Sequence, residues 1–230
     1  MNICVVIPAY NESGNISWLV SSLKKKGYAV LVVDDGSVDN TVFEAETAGA
    51  VVLRNGVNMG KGASLIRGFS YVKQKEFDGV IVMDGDGQHL PDDIPLLLRA
   101  AEAGGSLVVG NRMAMPGAMP FSRWLTNKIM SLLLSCLTHQ RIPDSQCGFR
   151  FISAPLLGRL RLFCSNYEIE SEMLLDAGRS GYKIISVPVR SVYRGTKSQI
   201  NPVIDTVRFF RFIWRQLRCR SAADQKRKEQ

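Results

Sequence analysis

An α/β fold with a mostly parallel sheet and helices on both faces is predicted from three features of the chain. Short apolar runs alternate with segments of helical periodicity through the first 110 residues, which is typical of parallel strands joined by helices. Polar clusters follow three of these runs, where ligands bind in open parallel sheets. The 230 residues, of which 46% are hydrophobic, suffice for one large domain with a substantial core.

The predicted elements begin with a strand and then alternate. Strands are predicted at 3–7, 29–33, 50–53, 80–83 and 107–109, and helices at 14–26, 39–48, 61–76 and 92–103. In the second half we expect an unusually apolar helix at 121–138, an extended segment at 144–153, a helix at 167–179 and a strand at 183–189. Residues 221–230 are polar and are expected to be disordered.

The segment Asp84-Gly85-Asp86-Gly87-Gln88 is the most informative in the chain. It follows an apolar run predicted to be a buried strand, so two carboxylates and an amide oxygen leave the strand end together. Such hard oxygen ligands suit Mg²⁺ or Mn²⁺, which proteins usually hold with one or two carboxylates and substrate phosphates. We therefore predict a metal–diphosphate site with Asp84, Asp86 and Gln88 as ligands.

Two further polar segments are expected at the same edge of the sheet. Pro8-Ala9-Tyr10-Asn11-Glu12 and Asp34-Asp35-Gly36-Ser37 each follow a predicted strand, and the carboxyl ends of parallel strands share one rim. Each segment could instead be a loop with a helix cap, since Asp39, Ser13 or Asn15 can cap the helices that follow. Convergence of three segments favours a binding site.

The loop Asn58-Met59-Gly60-Lys61-Gly62 opens the third predicted helix. Free amides at a helix start, together with the lysine, can hold a phosphate. The spacing is not that of a Walker A loop, and glycines also occur where a helix merely begins, so both interpretations stay open.

The composition and charge of the chain restrict the kinds of partner that it can bind and where it is expected to act. A net charge of +8 indicates an anionic partner, either nucleic acid, a phosphorylated substrate or an anionic membrane. Nucleic acid is disfavoured, because basic residues and exposed aromatics are not interleaved in the first 120 residues and no recognition motif occurs. No apolar stretch is long enough to span a bilayer, the N-terminus lacks signal-peptide features, and the five cysteines show no C-x-x-C spacing. We expect a cytoplasmic protein.

Several short motifs follow one another along the chain. They are Val6-Ile7-Pro8-Ala9-Tyr10-Asn11-Glu12, Val33 to Ser37 with Asp39 and Thr41, 58–62, Asp84 to Gln88 with His89 and Pro91, Gly110-Asn111-Arg112, Arg123 with Asn127, 144–150, and 197–202. In this order the chain, over about residues 3–205, resembles family 2 glycosyltransferases, especially the dolichyl- and polyprenyl-phosphate sugar transferases. The resemblance implies a GT-A type nucleotide-diphospho-sugar transferase fold and an inverting hexosyltransferase.

The resemblance also implies roles for individual residues. The nucleotide-sugar would be bound by Pro8, Tyr10, Glu12, Asp34, Asp35, Lys61 and Asp84. The metal would be held by Asp84, Asp86 and Gln88, and the catalytic residues would be Asp84, Asp86, Arg112 and Arg123. The acceptor would be bound by Arg112, Arg123, Asn127 and Lys197.

The chain departs from many relatives at Gly85, where they have Ala, and at Leu90, where they have a second Pro. Neither change removes a ligand, but the donor stays open between GDP- and UDP-sugars. Many relatives also carry C-terminal membrane spans, which this sequence lacks.

We expect a catalytic domain at 1–200, a basic amphipathic helix at 201–220 and a disordered tail at 221–230. The apolar face of that helix is predicted to contain Val203, Val207, Phe210, Ile213, Trp214 and Leu217, with Arg208, Arg211, Arg215 and Arg218 beside it. Such a helix suits a peripheral anchor on the anionic cytoplasmic face of a membrane. An ordinary helix packed on the domain would show a similar stripe.

The predicted reaction is metal-dependent transfer of a sugar to a polyprenyl phosphate such as dolichyl or undecaprenyl phosphate. A divalent ion and nearby arginines would stabilise the leaving diphosphate. A lipid phosphate is already ionised and needs only to be positioned, whereas a saccharide or protein hydroxyl in glycan or cell-envelope polysaccharide synthesis needs a general base. Glu168, Glu170 and Asp144 are candidates for that base, although helix-start charge and loop bonding also account for them.

A nucleotide-sugar pyrophosphorylase is a further alternative that would share the acidic rim. It should also show a glycine-rich basic loop at the N-terminus, which residues 8–12 do not supply.

Overall fold

The computed structural model describes residues 1–115, 119–192, 207–216 and 218. Contacts between residues divide the chain into two compact units, Met1–Thr196 and Lys197–Gln230. The strands are β1 (Ile3–Ala9), β2 (Ala29–Asp34), β3 (Val51–Arg54), β4 (Gly79–Val82), β5 (Leu107–Asn111), β6 (Arg150–Ser153) and β7 (Ile184–Pro188). The helices of the larger unit are α1 (Ile16–Lys25), α2 (Thr41–Thr47), α3 (Lys61–Val72), α4 (Ile94–Glu102), α5 (Phe121–Thr138), α6 (Ala154–Arg159) and α7 (Glu168–Arg179).

The described strands form one seven-stranded sheet in the order β3-β2-β1-β4-β6-β5-β7. Strands β1 to β4 are parallel, β5 is parallel to β7, and β6 runs antiparallel between β4 and β5. The predicted α/β fold with a mostly parallel sheet and helices on both faces is therefore confirmed.

The central strands are buried on both faces, which explains why their sequences are continuous apolar runs. From Ile3 to Ile7 every residue of β1 is at most 4% exposed, and β4 is buried throughout. Helices cover both faces of a parallel sheet, so no alternation of polar and apolar residues is expected. The polar residues that follow β1, β2 and β4 therefore begin where each strand leaves the buried part of the sheet.

Two features of the second half differ from the prediction. Of the segment 144–153, only Arg150–Ser153 forms a strand, and residues 154–159 form an unpredicted helix with a proline in its first turn. Residues before Arg150 are irregular because that side chain is buried and holds their carbonyl groups, as described below.

The smaller unit contains a helix at 207–216, within the predicted amphipathic segment. Val207, Phe210 and Trp214 are 53%, 48% and 55% exposed, whereas Ile213 is 4% exposed. The predicted apolar face thus contains both half-exposed and buried side chains, and its role as an anchor stays a prediction. Val203, Leu217 and the tail at 221–230 lie outside the described residues. Within the described ranges, no helix has the length and apolarity needed to cross a membrane.

Candidate active site

The loops that follow β1 and β2 are joined at the predicted rim. Ala9 pairs in register with Asp34, and the Asp35 amide donates to the Ala9 carbonyl at 2.8 Å. The Asn11 amide donates to Oγ of Ser37 at 2.9 Å. These bonds place Tyr10 and Glu12 beside the second polar segment, with Pro8 inside β1.

The carboxylates of Asp34 and Asp35 shape this rim from inside. Asp34 is fully buried and accepts hydrogen bonds from the Ser37 amide, the shorter at 3.2 Å. Asp35 is 4% exposed and accepts four bonds of 2.8–3.0 Å, from Asn55 Nδ2, Ser64 Oγ and the amides of Met59 and Gly60. Both aspartates therefore order the loops at this rim, and their binding of a nucleoside stays a prediction.

The start of α3 does not provide the predicted free amides. The Met59 and Gly60 amides donate to Asp35, and the Ala63 amide donates to the Ser165 carbonyl at 3.1 Å. A Cβ at Gly62 would collide with the Cys164 carbonyl, so these glycines permit close backbone packing. Of the two interpretations, these three amides fit a helix start that packs on its neighbours, and binding of a phosphate by Lys61 stays a prediction.

The Lys61 ammonium bridges two acidic side chains. It lies 2.6 Å from Oδ1 of Asp84 and 2.6 Å from Oε1 of Glu170, and its side chain is 14% exposed. Burial opposes the charge of Lys61, but the two carboxylates outweigh it and raise its pKa. Burial likewise opposes ionisation of Asp84, yet Lys61 lowers the pKa of Asp84 to about 2. Asp84 is held ionised.

Gly148 lies against the ion pair between Asp84 and Lys61. A Cβ at Gly148 would lie 2.6 Å from Oδ2 of Asp84 and 3.0 Å from Nζ of Lys61. Any side chain here would displace the ion pair, so the loop at 144–149 can pass over Asp84 only with glycine at this position.

Burial and neighbouring carboxylates raise the pKa values of Glu12 and Asp86. Asp86 accepts a 3.0 Å bond from the Gln88 amide, but burial and then the charge of Asp84 raise the pKa of Asp86 to about 6. Burial, followed by Asp86 and Asp84, raises the pKa of Glu12 to about 7. Burial and mutual repulsion therefore oppose the ionisation of Glu12 and Asp86. These two residues and Asp84 are called the acidic pocket below.

This electrostatic environment fits a divalent cation. In the part of the chain that the structure describes, no three or more His, Cys, Asp or Glu side chains are arranged to hold a metal ion by themselves. Two aspartates supplemented by an amide oxygen and by substrate phosphates are the usual arrangement for Mg²⁺. The acidic pocket thus supplies part of a ligand set that would fit a divalent metal.

Arg112 is fixed by the buried carboxylate of Asp144. Its Nε and Nη2 donate to Asp144 at 2.9 and 3.1 Å, and its backbone amide donates at 3.0 Å. Asn127 Nδ2 donates to the same carboxylate at 2.7 Å. Burial opposes ionisation of Asp144, but Arg112 lowers its pKa below the ordinary value. This argues against Asp144 as a general base and makes it the support of Arg112.

The remaining predicted acceptor residues are placed as follows. Arg123 lies on α5, one turn before Asn127, and is partly buried. Asn127 is 5% exposed and faces Asp144, so its acceptor role stays a prediction. Lys197 lies outside the described residues.

Arg150 is a supporting residue that was not predicted. Its fully buried guanidinium donates to the carbonyl groups of Cys147, Glu170 and Ser145 at 2.8, 2.6 and 2.7 Å. It ties the loop over Asp84 to the first turn of α7. Its only sequence signal was its position at the end of the 144–150 motif, which does not reveal burial.

The two glutamates at the start of α7 differ. Glu170 is 4% exposed and paired with Lys61, whereas Oε2 of Glu168 is buried without a hydrogen-bond partner among the described residues. Of the three predicted base candidates, Glu168 alone keeps such an oxygen.

Comparison with known proteins identifies the fold and relatives. A model of glycosyl transferase family 2 matches residues 4–161. The chain is 30% identical over 228 residues to a UDP-N-acetylglucosamine–dolichyl-phosphate N-acetylglucosaminyltransferase from Methanococcus voltae, covering 86% of this chain and 91% of that protein. It is 30% identical over 207 residues to an undecaprenyl-phosphate mannosyltransferase from Micrococcus luteus, covering 84% and 85%.

Among solved structures, the chain resembles glucosyl-3-phosphoglycerate synthase from Mycobacterium tuberculosis in complex with Mn²⁺, UDP and phosphoglyceric acid. The TM-score is 0.68 and the identity 24%, covering 91% of this chain and 75% of that chain. At this identity the likeness shows the fold, which is of the GT-A type.

Proposed function

The chain belongs to glycosyl transferase family 2, and we propose that it transfers a sugar, with inversion, from a nucleotide-diphosphate donor to a polyprenyl phosphate. The observation that carries this proposal is the juxtaposition of the acidic pocket and Arg112. The charge of Arg112 acts on the carboxylates of Asp84 and Asp86, while Asp144 holds its guanidinium in place. The acidic pocket suits a metal–diphosphate, and the guanidinium of Arg112 suits an anionic acceptor.

Asp84, Asp86 and Gln88 would hold Mg²⁺ or Mn²⁺ in this proposal. When bound, the ion would neutralise charge on the leaving diphosphate, as metal ions do at phosphoryl oxygens. The Mn²⁺ and UDP complex of the M. tuberculosis neighbour supports this choice of ion. Lys61 contributes independently, because it keeps Asp84 ionised before any ligand arrives.

The state of the acidic residues favours an acceptor that is already ionised. Glu170 is committed to Lys61 and Asp144 to Arg112, so neither is available to take a proton from a hydroxyl. A lipid phosphate requires only orientation against the sugar, which the fixed guanidinium of Arg112 can provide. The names of the M. voltae and M. luteus relatives support a polyprenyl phosphate acceptor.

The alternative is a soluble glycosyltransferase that acts on a saccharide or protein hydroxyl, and the unpartnered oxygen of Glu168 favours it. The two functions predict different effects of the substitution Glu168→Gln on the rate of transfer. A hydroxyl acceptor predicts a loss of about 100-fold or more in kcat, since general-base catalysis contributes this much. Transfer to a lipid phosphate predicts a rate close to that of the unaltered protein.

We further propose that residues 1–200 form the catalytic domain and 201–220 a peripheral anchor at the cytoplasmic face of the membrane. Half-exposed Phe210 and Trp214 support this, as does the guanidinium of Arg218, 3.7 Å from the centre of the Trp214 ring. Removing residues 203–220 should weaken binding to anionic vesicles, and unchanged co-sedimentation would contradict the anchor.

The proposed function is tested by offering a panel of labelled GDP- and UDP-sugars with undecaprenyl or dolichyl phosphate, and in parallel with saccharide acceptors. We expect one donor to label the lipid phosphate, and NMR of the product to show an inverted anomeric centre. Label that enters only saccharides would favour the alternative.

A further inference from the structure

We propose that Lys61 is an internal cation that competes with a divalent cation for the carboxylate of Asp84, and that Glu170 is the positioning residue that retains Lys61 at the site. The inference rests on the proposed function for the identity of the divalent cation, Mg²⁺ or Mn²⁺. It concerns the protein before a nucleotide is bound.

The two contacts of the Lys61 ammonium differ in kind. Its Nζ donates a hydrogen bond to Oε1 of Glu170 at 2.6 Å. The contact with Oδ1 of Asp84 is equally short but is an ion pair alone, and this buried oxygen has no hydrogen-bond partner among the described residues. Buried carboxylate oxygens normally accept hydrogen bonds. Glu170 is therefore the fixed partner of Lys61, and Asp84 is the partner that another cation can replace.

Glu170 is held in place by the structure around the first turn of α7. It is buried, and its backbone carbonyl accepts a 2.6 Å hydrogen bond from Nη1 of the fully buried Arg150. The centre of the Tyr167 ring lies 5.7 Å from Nζ of Lys61, which gives the ammonium a further favourable contact. Lys61 thus keeps Glu170 and the Tyr167 ring as partners when it leaves Asp84.

Asp84 is the more accessible of the two carboxylates. Its side chain is 27% exposed, against 5% for that of Glu170. A cation from solvent can therefore approach Asp84, whereas Glu170 is covered. Divalent cations such as Mg²⁺ prefer carboxylate oxygens as ligands. Because an ammonium and a divalent cation repel each other, occupancy of Asp84 by one lowers its occupancy by the other.

The competition has a consequence for binding of the donor. In the free protein Lys61 compensates the charge of Asp84, so that this partly buried carboxylate is not left unpaired. With Asp84 compensated by a divalent cation instead, the ammonium held by Glu170 can pair with an anionic diphosphate. Glu170 acts through Lys61 and needs no contact of its own with the donor.

A permanent structural bridge is the competing account of these contacts. In that account Lys61 stays between both carboxylates whatever the site binds, and it helps a metal to bind because it orders Asp84. The two accounts therefore predict opposite effects of the substitution Lys61→Met on the affinity for a metal ion. The missing hydrogen bond to Asp84 favours the competition.

The experiment is titration of the full chain with Mn²⁺ alone, without nucleotide, in which the EPR signal of free Mn²⁺ measures binding. Binding that is lost in the variant D84N is counted as binding at the site. We expect K61M to lower the Kd for Mn²⁺ about tenfold, since a competing positive charge is removed. An unchanged or higher Kd in K61M, with the circular dichroism of the unaltered protein, would overturn the proposal.

The matched control is K26M, which removes the same charge from a lysine–aspartate pair outside the site. Lys26 and Asp92 lie 2.5 Å apart, and their side chains are 40% and 66% exposed. This variant should bind Mn²⁺ like the unaltered protein. A decrease in Kd equal to that of K61M would show that net charge alone sets the affinity, and would overturn the proposal.

The role of Glu170 is measured with E170Q, which also decides the proposal if K61M does not fold. This variant leaves Lys61 with Asp84 as its charged partner, so the Kd for Mn²⁺ should rise about threefold or more. E170D keeps the charge and should restore part of the affinity. In the K61M background E170Q should have a smaller effect, because Glu170 acts through Lys61. An unchanged Kd in E170Q, or an equal change in both backgrounds, would overturn the role of Glu170.

Mn²⁺ binding requires no turnover, so these results are separate from the test of the proposed function. A protein that binds Mn²⁺ as expected but transfers sugar to no acceptor would reject the proposed function and support the competition. Absence of Mn²⁺ binding in both the unaltered protein and K61M would overturn the competition, whatever the transfer assay shows.

Discussion

The Lys61 ammonium lies 2.6 Å from Oδ1 of Asp84 and equally close to Oε1 of Glu170. One buried cation thus joins the start of α3, the segment Asp84–Gln88 and the first turn of α7. This contact holds Asp84 ionised, whereas Asp86 keeps a raised pKa of about 6. The two aspartates of the motif therefore take up protons in different pH ranges, and a divalent cation would favour the ionised form of Asp86 below about pH 6.

Replacing Lys61 by Met should destabilise the protein by about 3 kcal/mol, because removal of one partner leaves buried carboxylates unpaired. Urea unfolding measures this loss. The double variant K61M/E170Q should recover part of the stability, since one of the two stranded charges is removed. Equal stability of K61M and the unaltered protein would show that the bridge contributes nothing.

Replacing Asp86 by Asn should reduce transfer about 100-fold or more, as expected when a group that stabilises transition-state charge is lost. Stability should not fall, because burial and then the carboxylate of Asp84 already disfavour the charge of Asp86. Initial rates and urea unfolding measure the two effects. Asp92→Asn is the matched control, since the Asp92 side chain is 66% exposed on the 3₁₀ turn Pro91–Asp93. Normal rates for D86N would refute the metal assignment.

Replacing Asp144 by Asn should raise KM for the acceptor about tenfold, because Arg112 loses its charged two-point support. Asp144 acts through Arg112, so the KM for the donor should change less than the KM for the acceptor. The variant D144E keeps the charge and should restore part of the acceptor affinity. Equal increases in both KM values, without rescue by D144E, would indicate a general folding defect.

Stability in EDTA should depend on the protonation of Glu12. Its pKa is about 7 in the folded protein against 4.5 ordinarily, so between these pH values the folded state keeps a proton that the unfolded chain has lost. The free energy of unfolding should therefore decrease as pH rises from 4.5 to 7, by on the order of 2 kcal/mol. Asp86 contributes in the same direction up to about pH 6, while Asp84 acts oppositely only below its ordinary pKa of 3.8.

The variant E12Q should show a smaller decrease over this range, as measured by urea unfolding at several pH values. An identical pH dependence in E12Q and the unaltered protein would assign the effect to other groups.

The sequence predicted the parallel half of the fold well because its strands are continuous apolar runs, each ending in polar residues. The carboxyl ends of parallel strands share a rim, and so Glu12, Asp34 and Asp84 could be placed near one another from sequence. Strand β6 was missed as an antiparallel partner because its pairing with β4 and β5 joins segments far apart in the chain. Local periodicity carries no information on such pairing.

Local sequence patterns also could not predict which groups the charged side chains contact. Lys61 was expected to face a phosphate, and its pairing with Glu170 depends on how α3 and α7 pack. Arg150 gave no sign of full burial, since its three acceptors are backbone carbonyls available in any sequence. Asp144 was considered as a base, and only its contact with Arg112 reveals it as a support.

Metal-dependent transfer to the lipid phosphate tests the central claim most directly. The assay follows labelled sugar from the preferred nucleotide donor into organic solvent, with undecaprenyl or dolichyl phosphate as acceptor. We predict that label is extracted with Mg²⁺ or Mn²⁺, is lost with EDTA and returns when the cation is restored. Label that stays in the aqueous phase with every donor, or extraction unaffected by EDTA, would contradict the account.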